Sequence, residues 1–282
     1  AQIPKSYLYA GFTTLLDLAN TGEAMAKWNS QPLAPQAYFC APLMIPHGYP
    51  LANLPEAVQN SPEVTRHYLH DRHSHDAIPI ADADQHTPAK LVAAGKKDGA
   101  RCIKVFYEKG FGKMKNLPVP SETIIRELVA TAHKHNLPVF LHGNSRESYE
   151  FALNTGVDML VHGMWIADAK TTNAELTQIA NRLIKSKIAV QPTVQVIYGE
   201  QELFNANFFQ QPDVKHVMPA SLINWYQSDA GQFMKREIGG YFKNTAPLTN
   251  EQQYQQVKAA YEPMLERVNV VTRELNTRKS QL

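Results

Sequence analysis

Six short, nearly continuous apolar runs punctuate the chain, and apolar positions recur at helical spacing in most of the stretches between them. The runs cover 13–18, 37–45, 102–108, 138–143, 158–163 and 188–196. Each predicts a strand buried on both faces, the pattern of a parallel sheet covered by helices. A helix is expected from Pro88, with Thr87 as N-cap and the proline at the first helical position. Another starts near Ser121 and carries Ile125, Leu128, Val129 and Ala132 on one face as far as about Asn136. The stretch 145–155 opens on Ser145 and stops at Gly156. Thr172 and Glu175 have capping-box spacing and open a helix to about Lys187. A long helix is expected from Thr249 to the end of the chain, bent at Pro263.

This alternation predicts an α/β fold of the (β/α)8 TIM-barrel type. Six strands fall short of the eight that close such a barrel, so the barrel reads as incomplete. At 282 residues and 44% hydrophobic, the chain is read as a single barrel domain over 1–282. The rhythm breaks over 199–248, where Phe204, Phe208, Phe209, Trp225, Tyr226, Phe233, Tyr241 and Phe242 stand among polar residues. Two readings stay open there: a lid over an active site, or a helical insertion packed outside the barrel.

Composition narrows the function classes. A net charge of +2 with scattered Lys and Arg argues against a nucleic-acid partner. No run approaches the roughly 20 apolar residues that span a bilayer, and the start of the chain has no signal-peptide pattern. Cys40 and Cys102 both fall inside predicted strands and are read as core packing, which leaves the compartment, cytoplasmic or periplasmic, undecided.

The chemistry lies at the ends of the runs. His142-Gly143 and His162-Gly163 close two consecutive strands, which aims two imidazoles at one rim of the sheet. Glycine after each histidine is expected to let the backbone turn tightly away. One such histidine is usually structural, but two in consecutive strand-helix units point to a divalent ion at the rim, where barrel chemistry resides. Lys104 lies in the run upstream; as a cation it would repel a metal, so it ligates only when neutral or carbamylated, and its bland role is a snorkelling or ion-paired lysine. Tyr107, Asn144, Thr193 and Tyr198 fall just beyond strand ends, placed either to touch substrate or to stabilise loops. His73-Ser74-His75, with His67, His70 and His86 nearby, has the spacing of a His-x-His pair. Its polar surroundings mark it as a surface cluster with incidental metal affinity.

Taken in order, Gly11-Phe-Thr-Thr-Leu-Leu-Asp17, Ile103-Lys104-Val105, Val139-Phe-Leu-His142 and Gly156-Val-Asp-Met-Leu-Val-His162-Gly163 resemble the amidohydrolase superfamily. The imidazolonepropionase-like and prolidase-like members are the nearest in pattern, over roughly residues 8–196. The resemblance implies a distorted (β/α)8 barrel with one or two divalent ions, often zinc, that hydrolyses amide or related C–N bonds through a metal-activated water. It implies Lys104 as the fourth-strand lysine, carboxylated in many members, with His142 and His162 as fifth- and sixth-strand ligands. The six runs would then be strands two to seven. The family's first-strand His-x-His pair would precede Gly11 and its eighth-strand aspartate, the general base, would follow the last helix; neither is found in the chain. The expectation is therefore a central piece of such an enzyme, inactive or nearly so, that acts on a small amide, cyclic amide or dipeptide when complete. The competing class is a non-catalytic barrel fragment that serves as an association module. Two open sheet edges predict a homo-oligomer in either case. Phosphoester hydrolysis is disfavoured by the lack of a phosphate-binding glycine loop.

Overall fold

The computed structural model describes residues 2–74, 79–111, 114–166, 171–239 and 250–278. Six strands form one sheet in sequential order: β1 (Thr14–Asp17), β2 (Gln36–Pro42), β3 (Cys102–Phe106), β4 (Val139–His142), β5 (Met159–Val161) and β6 (Ala189–Gln191). Strands β2 to β6 pair in parallel, and the sheet curls as half of a barrel. Sequential order follows from the connections, because each helix between β3 and β6 returns the chain to begin the next parallel strand.

The predicted caps set the helix starts. Thr87 accepts from the Lys90 N–H ahead of Pro88–Asp98, and Ser121 from the Ile124 N–H ahead of Glu122–Lys134. Ser145 with Ser148, and Thr172 with Glu175, make full capping boxes at Arg146–Thr155 and Asn173–Ser186. Gly156 ends its helix at φ 73°, a conformation that glycine adopts without steric cost. Ile124, Ile125, Leu128 and Ala132 are fully buried on one helix, as are Leu176, Ala180 and Leu183 on another. They cover the sheet face that presents Ile103, Val105, Val139, Leu141, Leu160 and Val190, themselves almost wholly buried.

Two strands end earlier than their apolar runs. β2 stops at Pro42 and β6 at Gln191, each where a proline ends or follows the strand and withholds the N–H that a ladder needs. Beyond Pro192, Thr193 takes φ 49° and the chain turns helical over Gln195–Glu202, although its valines read as strand. Pro263 lies within the helix Asn250–Thr277. Thr249, Tyr241 and Phe242 lie outside the described residues. No described helix is long and apolar enough to cross a membrane.

Backbone contacts divide the chain into two compact units. One comprises 1–15, 23–37 and 194–266. It holds a small core of Phe204, Ile238 and Val257, flanked by Leu203, Tyr254 and Tyr261. Within it, residues 199–239 form short helices and turns, and the Tyr254 hydroxyl donates to Glu202 at 2.9 Å. The other unit, 16–22, 38–193 and 267–282, holds most of the sheet and all three strand ends of interest.

The cysteines do more than fill space. Cys40 and Cys102 are direct register partners on β2 and β3, with Cα atoms 4.4 Å apart, and they form a disulfide. They also sit in a buried cluster with Phe140 and Val161, so the expected packing role is only half of the account. Register brings them together, and register is invisible in the spacing of two cysteines 62 residues apart. Closing a loop of that length restricts the unfolded chain by about 4 kcal/mol. The Cys40→Ala/Cys102→Ala protein should unfold at clearly lower urea, with about that loss in stability, and reductant should leave its midpoint unchanged while lowering that of the wild type. Equal midpoints for the two proteins without reductant would show that the bond contributes nothing.

Candidate metal centre

Register decides which side chains share the sheet face opposite the helices. Lys104 pairs with Phe140 and Phe106 with His142, so Cys102, Lys104 and Phe106 project from β3 on the same side as Phe140 and His142 from β4. The disulfide lies one layer below the lysine on this face. Lys104 is 3% exposed and has no carboxylate partner among the described residues. Its Nζ lies 4.6 Å from the centre of the Phe106 ring and 3.4 Å from the Val105 carbonyl oxygen. Burial pushes its pKa well below the usual lysine value, which favours the neutral amine.

His142 is 5% exposed, and its ring packs 4.4 Å from that of Tyr49 and 6.0 Å from that of Phe106. Its Nε2 has no hydrogen-bond partner. Glu108 Oε2 stands 3.5 Å away, equally without a partner, so the two are in close polar contact without a well-formed hydrogen bond. Glu108 Oε1 accepts from the Gly110 N–H at 2.8 Å. Burial raises the Glu108 pKa, but His142, the Gly110 N–H and Asn144 outweigh it and hold the carboxyl below its usual range. Burial also lowers the pKa of His142, and the nearby Lys104 adds to the effect against the pull of Glu108.

His162 follows β5 and takes φ 94°, a backbone state that costs a residue with a Cβ about 1 kcal/mol or more. Its N–H donates to the Gln191 carbonyl at 2.9 Å, and its carbonyl accepts from the buried Tyr149 hydroxyl at 2.9 Å. These two bonds hold the strained residue in place. Its ring centre is 4.6 Å from that of His142 and 4.9 Å from that of Trp165. Nδ1 is engaged with Thr193 Oγ1 at 2.8 Å, which fixes the ring. Burial, with His142 and Lys104 adding to it, pulls its pKa down to about 3, so the ring is neutral.

The glycines after the histidines act differently from the sequence expectation. His162 itself makes the turn, and the glycines allow close approach. A Cβ on Gly143 would fall 2.7 Å from Ser148 Oγ, and one on Gly163 would fall 2.7 Å from both γ-carbons of Val268.

The donor set fits a cation in part. Two imidazoles and a desolvated amine gather at one rim, and an unpartnered nitrogen faces an unpartnered carboxylate oxygen. Among the described residues no three His, Cys, Asp or Glu side chains converge at metal-binding distance; the buried His142–Glu108 pair stands at 3.5 Å. The remaining candidates scatter. Asn144 is buried with Oδ1 unpartnered, and Thr193 is committed to His162. The Tyr107 ring packs at 4.5 Å on Phe151, and Tyr198 is 45% exposed on the helix Gln195–Glu202 of the other unit. His73 is held by Glu127 at 3.0 Å; His75 lies outside the described residues. Glu108, Tyr49 and Trp165 were not singled out from the sequence. Glu108 had a signal, as a carboxylate at the end of the lysine-bearing run; Tyr49 and Trp165 had none.

No known family pattern matches the sequence, and no curated protein matches it. Solved structures do match in fold. Ochratoxinase of A. niger superposes with a TM-score of 0.56 at 17% identity, covering 96% of this chain and 52% of its own. A Xaa-Pro dipeptidase with bound methionine gives 0.48 at 16%, covering 96% and 64%, and a protein described as an amidohydrolase gives 0.49 at 18%, covering 83% and 55%. The chain spans about half the length of ochratoxinase. At these identities the likeness concerns the fold alone: this chain shares the fold of A. niger ochratoxinase over nearly its whole length.

Proposed function

We propose that this chain carries the Lys104–His142–His162 portion of the metal centre of an amidohydrolase-type enzyme that hydrolyses C–N bonds. On this reading the six strands are the second to seventh of a (β/α)8 barrel. The observation that supports it most is the buried, unpartnered Nε2 of His142 beside a second neutral imidazole and a desolvated lysine. An unpaired buried polar atom costs about 1–3 kcal/mol, a cost that a ligand bound at the rim would remove. The likeness in fold to ochratoxinase agrees with this.

A divalent ion bound there, zinc by donor preference and one or two per complete site, supplies Lewis acidity toward a carbonyl oxygen and lowers the pKa of water. The chain's own residues do the rest. Thr193 fixes the ring of His162, and Tyr49, Phe106 and Trp165 wall the imidazoles from bulk water. The neutral Lys104 amine is the form that adds to carbon dioxide: its lone pair forms the N–C bond, one N–H proton leaves to solvent, and a carbamate results. Asn144, buried with its Oδ1 unpartnered, would hold the polar group of a small amide, cyclic amide or dipeptide. The aspartate that serves as general base in that superfamily has no counterpart among these residues, so turnover by this chain alone should be weak or absent.

Elemental analysis of protein purified without chelator or affinity tag should find about one zinc-like ion per chain, lost in His142→Ala and His162→Ala. Background metal in all three would remove the basis of the reading. A panel of N-acyl amino acids and Xaa-Pro dipeptides should give little turnover, and any that occurs should vanish in His142→Ala; turnover that survives that change would place the chemistry elsewhere. Lys104 is held for function at a cost in stability. Lys104→Met should therefore stabilise the metal-free protein by about 1–3 kcal/mol in urea unfolding. A less stable variant would show that Lys104 supports the fold.

A further inference from the structure

We infer that Glu108 is a direct ligand of the same ion as His142, so that the ion is held between β3 and β4 by a carboxylate and an imidazole. This inference rests on the metal reading above. Glu108 lies two residues beyond the end of β3, and its side chain is 4% exposed, against 6% for that of His142. One carboxylate oxygen is tied to the Gly110 N–H, which fixes the group; the other faces His142 Nε2 at 3.5 Å, and neither atom has another partner.

The separation is informative. Two donor atoms bonded to one zinc at about 2.0–2.1 Å, in tetrahedral array, stand about 3.4 Å apart. A carboxylate–imidazole hydrogen bond would be shorter, at about 2.7–2.9 Å, and aligned. The 3.5 Å separation is close to that of two donors on one ion and longer than an aligned carboxylate–imidazole hydrogen bond. Charge points the same way. A buried carboxylate needs a countercharge, and no lysine or arginine is paired with Glu108 among the described residues.

The test is zinc affinity by competition with a chromophoric chelator for the wild type and Glu108→Gln, with far-UV circular dichroism to establish that the variant folds. Removing a ligand should weaken zinc binding a hundredfold or more. A loss below tenfold in a folded variant overturns the inference and leaves the Lys104–His142–His162 reading standing. A wild type that binds no zinc overturns both. If Glu108→Gln does not fold, or its loss is intermediate, infrared difference spectra of wild-type protein labelled with 13C-glutamate decide. A labelled carboxylate band that shifts on zinc addition supports ligation, and unshifted labelled bands overturn it.

Discussion

Phe106 pairs with His142 and Lys104 with Phe140 across β3 and β4, and nearly everything of chemical interest depends on that register. A shift of one residue between the two strands would turn either Lys104 toward the helices, with Val105 at the rim, or His142, with Leu141 in its place. The shift is prevented because both faces are buried: the helix face presents only apolar side chains, and neither a lysine nor an imidazole would be tolerated among Ile124, Leu128 and Ala132. Packing on one face thus fixes chemistry on the other. The disulfide joins β2 to β3 on the chemical face, where the β2–β3 register pairs Cys40 with Cys102.

The rim is expensive to maintain. A desolvated lysine without a carboxylate, a histidine nitrogen and a carboxylate oxygen without partners, and a histidine at φ 94° all lie within one unit of the chain. Elsewhere in the unit a buried carboxylate such as Asp71 takes three hydrogen bonds, and the helices Arg146–Thr155 and Asn173–Ser186 open on full capping boxes. The strained backbone of His162 is held by Tyr149 and Gln191, and the proposed ligand site would give these unpartnered groups their use.

Much of this was legible in the sequence, and the rest was not for identifiable reasons. The strand cores could be read because residues buried on both faces must be continuously apolar, and the helix starts because Thr87, Ser121, Ser145 and Thr172 are local signals that need no tertiary context. The strand ends were harder. Valines after Pro192 look extended, yet the proline stops the ladder and the chain turns helical. The disulfide depends on pairing between strands, which spacing does not encode. Glycines beside the histidines suggested turns, whereas the constraint is the approach of Ser148 and Val268 to within 2.7 Å of where a Cβ would lie. Tyr49 comes from a long polar connection with no periodicity, so only the folded chain reveals that it covers His142.

The most direct measurement is anomalous diffraction at the zinc edge from crystals of this chain grown with zinc and without chelator. The account predicts an anomalous peak within bonding distance of His142 Nε2, at the rim formed by β3, β4 and β5. A peak confined to the surface histidines around His67 and His73, with none at His142, would contradict it.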